Sequence, residues 1–291
     1  MKLIVLVGPP GSGKSTFAAS CEKDGYFRVS QDAQGKDHIR LFEDAMAHGK
    51  DIIVDRMGFS KGQRARYIDP ARAKGYTVTI AVLHQPYFVC LERCRARTEH
   101  ETIKDEKTAR AALNTFFTKY ERPTQDECDI LTMMYPEGPK PSAIICDLDG
   151  TLCDVAHRRH FVRRPKGVKK DWNGFFKGMV DDVPNKWCAD ILKSMSKDHK
   201  IVYCSGRPDS WGPQTANWLA NHGMLDFPEK PHLFMRPRQD SRDDYIIKEI
   251  ILDFEILTRF TPFFMIDDRQ QVVDMWRARG YTCLQCDKGD F

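Results

Sequence analysis

Two apolar runs, Leu3 to Val7 and Ala143 to Cys146, each stop at a short loop of restricted composition. The first opens into Gly8-Pro9-Pro10-Gly11-Ser12-Gly13-Lys14-Ser15, the second into Asp147-Leu148-Asp149-Gly150-Thr151. A short, continuously apolar segment followed by a polar loop suits a strand buried on both faces of a parallel sheet, where ligands collect at the C-terminal strand ends. The pattern occurs once in each half of 291 residues. That calls for an α/β chain with two doubly wound parallel-sheet domains, each long enough to bury its own core.

In the first half, the glycines leave room for backbone N–H groups to wrap phosphate, and the following helix adds its positive dipole end. Gly8, Gly11, Ser12 and Gly13 form the cradle. Lys14 is placed to reach the β- and γ-phosphates of a nucleoside triphosphate, and the Ser15 hydroxyl to ligate magnesium. Strands are expected at Lys2 to Val7, Phe27 to Ser30, Ile52 to Val54 and Tyr76 to Leu83. Helices are expected from Lys14, over Asp37 to His48, from about Pro86, and over 105 to 120. Asp32 falls just past the second strand, where a carboxylate would accept the proton of a hydroxyl acceptor; a helix N-cap is the plain alternative. Asp55 closes the third strand, either holding magnesium through water or supporting the loops. Arg93 and Arg97 lie one helical turn apart and can point at one site. Arg97 is a candidate lid over the transferred phosphoryl group, or else a solvated helix charge.

Met134-Tyr135-Pro136-Glu137-Gly138-Pro139-Lys140-Pro141 is an extended connection, because its prolines fix φ and remove ladder donors. It divides the chain into 1–136 and 137–291. Beyond it the alternation restarts, with strands at Ala143 to Cys146, Ile201 to Cys204, His232 to Met235, Phe263 to Ile266 and Thr282 to Gln285. Helices fall near 184–196, 213–222, 243–257 and 270–279. Asp147 can attack phosphorus as a carboxylate nucleophile. Asp149, two residues on and expected on the same side, can protonate the leaving alcohol and then activate water. Ser205-Gly206-Arg207 can bind phosphate, and Lys248 can offset charge on an aspartyl-phosphate. Asp267 and Asp268, with Asp147 and Asp149, can hold magnesium.

Cys153 to Asp182 reads as a small cap inserted after the first strand of this half. Between Val155 and Lys170 it carries seven Lys/Arg and no Asp or Glu, followed by Trp172, Phe175 and Phe176. Basic and aromatic residues interleaved near a site suit a nucleic-acid strand. The plain alternative is a cap whose aromatics form its own core.

Composition adds exclusions. An apolar content of 41% and a charged content of 30% suit a soluble globular protein. No apolar run approaches the roughly 20 residues that span a bilayer, and Leu3 to Val7 is too short for a signal sequence. No membrane partner and a cytoplasmic location (a host's, for a phage-encoded chain) are therefore expected. The ten cysteines look reduced, and the Cys283-x-x-Cys286 pair lacks two further ligands for a zinc site.

These blocks, in this order, resemble the bacteriophage polynucleotide kinase-phosphatases over nearly the whole chain. The likeness runs through Gly8 to Thr16, Asp32, Asp55, Arg93 and Arg97. It continues through Asp147 to Leu152, Arg158, Ser205 to Arg207, Arg236, Arg242, Asp244, Lys248, Ile266 to Arg269, Gln271 to Val273, Met275-Trp276 and Gly289-Asp290-Phe291. It implies a P-loop kinase fused to a phosphatase of the haloacid-dehalogenase superfamily. Such an enzyme moves the ATP γ-phosphate to 5′-hydroxyl ends of RNA or DNA and clears 3′-phosphate or 2′,3′-cyclic phosphate ends. By the resemblance, the glycine loop through Thr16, with Arg93 and Arg97, binds ATP, and Ser15 meets magnesium. Asp32 is the general base and Arg97 the lid arginine. Asp147 is the nucleophile and Asp149 the acid/base; Arg158, Arg207, Asp244, Lys248, Asp267 and Asp268 fill the remaining phosphatase positions. A homo-oligomer is implied, a tetramer being the family's form. Three residues past Asp32 the phage kinases carry arginine; here the residue is Gly35, similar to animal polynucleotide kinase-phosphatases. Two rival readings stand beside this one: a kinase/phosphatase of small nucleosides or sugar phosphates, and a non-enzymatic RNA-binding subunit.

Overall fold

The first apolar run becomes the central strand of a parallel sheet. The structure is a computed structural model that describes residues 1–96, 105–165, 167–224 and 231–289, in two units, Met1–Glu137 and Gly138–Phe291. In the first unit the order is β1 (Lys2–Val7), α1 (Lys14–Lys23), β2 (Phe27–Ser30), α2 (Gln31–Gln34), α3 (His38–Ala47), β3 (Ile52–Asp55) and α4 (Lys61–Ala73). There follow β4 (Thr77–Leu83), α5 (Tyr87–Arg95), α6 (Glu106–Lys119) and β5 (Ile130–Met134). The strands pair in the order β2-β3-β1-β4-β5, all parallel. β1 is flanked on both sides, which is why Leu3, Val5, Leu6 and Val7 are all buried. The chain crosses to opposite sides of β1 before β2 and before β4, so the loop after β1 sits at the switch point of the sheet.

Two elements here carry little sequence signal. In α4 the buried residues are Arg64, Tyr67, Ile68 and Ala71, a proper 3.6-residue stripe headed by an arginine. Pro70 also lies inside this helix. β5 is an edge strand whose residues are exposed or half-buried, so it lacks the alternation of a one-sided strand.

The second unit runs β6 (Ser142–Cys146), β7 (Cys153–Asp154), α7 (Trp172–Lys177), β8 (Val183–Pro184), α8 (Lys186–Met195), β9 (Lys200–Pro208) and α9 (Gly212–Asn221). It ends with β10 (His232–Arg236), α10 (Asp244–Ile251), β11 (Thr261–Asp267), α11 (Gln270–Ala278) and β12 (Cys283–Gln285). Its parallel sheet has the order β10-β9-β6-β11-β12. β6 is central, and Asp147 follows it at the switch point. The antiparallel pair β7-β8 brackets the inserted segment as a small cap. The helix expected over 243–257 is α10 followed by a π-helical turn, Leu252–Ile256. No helix among the described residues is long and apolar enough to cross a membrane.

Arg64 fixes α4 to the turn before β5. Its Nε and Nη2 donate to Glu127 at 2.7 and 2.8 Å, and Nη1 donates to the Gly58 and Glu121 carbonyls at 2.9 and 3.0 Å. Both partners of the ion pair are buried. Removing one partner of such a pair leaves an uncompensated charge, at a cost of about 3–5 kcal/mol. Arg64→Ala is therefore expected to lower unfolding stability by about that amount in urea titration, and Arg64→Ala/Glu127→Ala to lower it by less than the sum of the single changes.

Candidate active sites

The N-terminal site starts where β1 ends. Gly11 has φ of 82°, and a Cβ there would come within 2.5 Å of the Cys90 carbonyl on α5. The loop thus presses against α5 at a point only glycine fits. α5 returns a contact, as Arg93 Nη1 donates to the Gly11 carbonyl at 3.3 Å. Lys14 is buried and its Nζ donates to the Pro9 carbonyl at 2.8 Å, folding the ammonium over its own loop. The Ser12 hydroxyl is buried with no hydrogen-bond partner, a polar group of the kind that a bound anion satisfies. Ser15 and Thr16, in the first turn of α1, are exposed.

Asp32 is exposed on α2, immediately beyond the C-terminal end of β2. It is not an N-cap: Ser30 holds that place for α2 and Asp37 for α3. Asp55 is buried at the end of β3 and pairs with Arg28 at 2.5 Å. β2 and β3 run in register, with Ser30 opposite Asp55, so Asp32, Asp55 and the glycine loop share one edge of the sheet. Arg56, which the sequence does not single out, donates to Tyr67 Oη at 2.9 Å and to the Gln31 side chain, beside Asp32. Arg97 lies outside the described residues.

The C-terminal site is built around Asp147. Its N–H donates to the Ile266 carbonyl at 3.0 Å, which ties the loop after β6 to the end of β11. Lys248, 1% exposed on α10, donates to Asp147 at 2.7 Å and to Asp267 at 2.8 Å, with Asp244 at 3.6 Å. Burial works against the ammonium, but Asp147, Asp267 and Asp244 outweigh it and raise its pKa. Asp147, Asp267 and Asp268 bring carboxylate oxygens within 4.8 Å of one another, all buried. One lysine cannot neutralise three carboxylates. Burial pushes Asp147 upward, Lys248 pulls it back, and Asp267 and Asp268 add to the rise. Asp268 is pushed up to about 6 by burial and by Asp267. Its Oδ2 has no hydrogen-bond partner. Gly150, at φ of 92°, leaves that oxygen room, since a Cβ there would lie 2.5 Å away. Three buried hard-oxygen ligands, short of positive charge and with an orphaned oxygen, fit a small divalent cation.

Asp149 does not join this trio. Arg207 Nε donates to both its oxygens, at 3.0 and 2.9 Å, and Arg158 Nη2 donates to Oδ1 at 2.5 Å. The Asp149 carboxylate lies instead near Cys153 and Asp182, in a second group of possible ligand atoms. β6 stops at Cys146, and Leu148 to Gly150 form a turn closed by Thr151 N–H to Leu148 O at 3.2 Å. Burial would raise the Asp149 pKa, yet Arg207 and Arg158 outweigh it and hold the group well below the ordinary carboxylate range. Asp182, buried at the end of the insertion, completes the network with Arg158 at 2.5 Å and Arg207 at 3.3 Å. Arg158 is thus no part of a solvated basic face, being wholly buried. Asp182 was not anticipated; its signal is an Asp181-Asp182 pair closing a segment otherwise dominated by cations.

Ser205 is buried at the end of β9, its Oγ accepting from the Arg207 N–H at 3.2 Å. Asp244 pairs with Arg236 at 3.2 Å and Arg269 at 3.6 Å. Against burial, Lys248 and these arginines keep its pKa low. A cavity of about 460 Å³ opens over Asp147 and Asp149. Lys170, Trp172, Phe175 and Phe176 of the insertion line it, with Arg236, Arg242 and Arg269 among the remaining residues.

Comparison with known proteins bears on both halves. Residues 141–291 match the family described as the polynucleotide kinase PNKP phosphatase domain, and residues 3–123 match an AAA domain family. A protein of Autographa californica nuclear polyhedrosis virus, provisionally named a bifunctional polynucleotide kinase/RNA ligase, is 26% identical over 95% of this chain and 41% of its own length. A bifunctional polynucleotide phosphatase/kinase of Schizosaccharomyces pombe is 28% identical over 43% of this chain and 31% of its own length. The chain therefore spans less than half the length of either relative. A solved chain from the Pnkp1/Rnl/Hen1 RNA repair complex is 26% identical with a TM-score of 0.43, covering 100% of this chain and 97% of that one.

The raised pKa of Asp268 has a thermodynamic sign. Its folded value of about 6 lies above that of an unfolded carboxylate. No penalty applies below the unfolded value, and the penalty grows as pH rises through the folded one. In chelator-treated protein, Asp268→Asn is expected to raise Tm at about pH 8 and to leave it nearly unchanged at about pH 4. Differential scanning calorimetry at both pH values checks this.

Proposed function

The chain belongs to the polynucleotide kinase PNKP phosphatase family, and from that premise we propose a bifunctional enzyme that heals nucleic-acid ends. One site phosphorylates 5′-hydroxyl ends at the expense of ATP, and the other removes 3′-phosphate or 2′,3′-cyclic phosphate. The observation that carries the reading is the convergence of Asp147, Asp267, Asp268 and Lys248 at one sheet's switch point, in a chain whose other sheet carries a phosphate cradle at its own.

In the kinase half, the loop amides and the start of α1 receive the β- and γ-phosphates, which give the Ser12 hydroxyl its missing partner. Lys14 exchanges the Pro9 carbonyl for phosphate oxygens, while Arg93 stays beside Gly11. Asp32 orients the 5′-hydroxyl and accepts its proton as the oxygen attacks the γ-phosphorus, and the bond from that phosphorus to the β,γ-bridging oxygen breaks to release ADP. Arg97 serves as the lid.

In the phosphatase half, an Asp147 carboxylate oxygen attacks phosphorus, a P–O bond to aspartate forms, and the bond to the 3′-oxygen breaks. Lys248 holds the attacking carboxylate in place. Asp147, Asp267 and Asp268 would hold magnesium, which would supply charge neutralisation for the carboxylates and the phosphate. Asp149 hands a proton to the leaving 3′-oxygen and then takes one from the water that hydrolyses the aspartyl-phosphate. Arg158 and Arg207 keep it ionised in the free protein, so the incoming phosphate must first draw these guanidiniums away, and Asp149 then takes up from solvent the proton that it passes on. Ser205 and the N–H groups around it receive the phosphate oxygens.

End-labelled RNA and DNA oligonucleotides test both activities. Lys14→Ala or Asp32→Ala is expected to abolish 5′-labelling from radiolabelled ATP with 3′-dephosphorylation intact, and Asp147→Asn or Asp149→Asn to do the reverse. Turnover confined to mononucleosides or sugar phosphates would replace this reading with a small-molecule kinase/phosphatase.

A further inference from the structure

The insertion divides its aromatic residues between two jobs. Phe175 and Phe176 are buried, at 1% and 9% exposure, whereas Trp172 is 41% exposed. Trp172 stacks on Phe176, with centroids 5.8 Å apart and planes 22° from parallel. Phe175 meets the indole edge-on, also at 5.8 Å. The indole is therefore held at a fixed tilt by two core side chains and yet lines the cavity over Asp147 and Asp149. Trp187 is as exposed, at 44%, but does not line that cavity. Lys170 is exposed, lines the same cavity and holds its Nζ 5.4 Å from the centre of the Trp172 ring.

A rigid π surface, with a cation on a flexible stem beside it, is what a nucleobase attached to a phosphodiester recognises. The cavity, at about 460 Å³, falls within the range that takes one ligand-sized group. It suits a single splayed nucleotide better than a paired duplex end. We propose that Trp172 is the platform on which the terminal nucleobase of a 3′-phosphorylated strand stacks, with Lys170 meeting the adjacent phosphodiester, so that the 3′-phosphate is presented to Asp147. This rests on the end-healing reading above. Trp172 is a positioning residue: it holds the leaving nucleotide and touches no reacting atom. Every base has a π face, so the site tolerates all four bases while requiring that one be present.

The test pairs two oligonucleotide substrates, one ending in an ordinary 3′-phosphorylated nucleotide and one in a 3′-phosphorylated abasic sugar. KM and kcat are measured for wild type, Trp172→Ala and Trp172→Phe. Wild type is expected to lose roughly ten-fold in KM when the base is removed, with kcat changing little. Trp172→Ala is expected to show about the same KM rise on the base-bearing end and little further rise on the abasic one. Trp172→Phe, which keeps a ring, is expected to recover most of the loss. Equal losses by Trp172→Ala on both ends, or a fall in kcat alone, would assign the indole to cap packing and overturn the proposal. So would no loss at all, with the end-healing reading left standing. Wild type that hydrolyses small phosphate esters but no 3′-phosphorylated oligonucleotide would remove both.

Discussion

Two carboxylates two residues apart, Asp147 and Asp149, lie in opposite fields, and the phosphatase half depends on that separation. Asp147 faces Asp267 and Asp268 with one lysine to offset them, and its proton affinity rises. Asp149 faces Arg158 and Arg207, and its affinity falls. The turn after β6 makes this possible, because it rotates the second carboxylate out of the first one's surroundings. Pairs of titratable groups driven apart by their environments mark a division of catalytic labour. In the proposed phosphatase, the one poised beside a deficit of positive charge would be the group that attacks phosphorus. The one clasped by guanidiniums suits exchange of a proton with the leaving group once phosphate competes for those cations.

The two halves meet the same physical demand with opposite materials. A phosphate dianion needs local positive charge that water does not screen. In the proposed kinase the first sheet would supply it with backbone amides, a helix end and Lys14, with Asp55 neutralised by Arg28 beside them. The second sheet supplies carboxylates and buried arginines, and in the proposed phosphatase the remaining positive charge would come from a cation. Both solutions sit after the central strand of a parallel sheet. Only there do loops from neighbouring strands converge from both sides, as those after β3, β1 and β4 do in one unit and those after β9, β6 and β11 in the other.

Most of the strand framework was legible in the sequence, because strands buried on both faces are continuous apolar runs ended by polar loops. β1, β3 and β6 have this form, and the two phosphate-type loops follow β1 and β6. What escaped was what tertiary context decides. α4 buries Arg64 at the head of its stripe, and an arginine reads as surface until Glu127, far along the chain, is seen to neutralise it. β5 is an edge strand with no clean alternation. Asp149 lines the same cavity as Asp147, but the arginines that hold its carboxylate, Arg158 and Arg207, come from other segments of the chain. Arg158 and Asp182 stand 24 positions apart, and neither announces a buried pair without the β7-β8 bracket that brings their segments together.

The cap combines a buried aromatic face with an exposed aromatic rim in one short segment. Burying Phe175 and Phe176 gives the insertion a core of its own, continuous with the apolar cluster under β6 that includes Cys146 and Leu152. The same helix, α7, starts at Trp172 because Asp171 caps it, accepting from the Gly174 N–H at 2.8 Å. Trp172 is thereby committed to the first turn, three and four residues before the two phenylalanines, and it shares their face. A core phenylalanine and a rim tryptophan in adjacent turns give a platform whose orientation is set by the packing beneath it. The cations split in the same way. Arg158 is drawn inward to Asp149 and Asp182, and Lys170 stays at the surface beside the indole. One basic run therefore feeds both the buried ion-pair network and the rim of the cavity, and burial, not sequence position, decides which cation goes where.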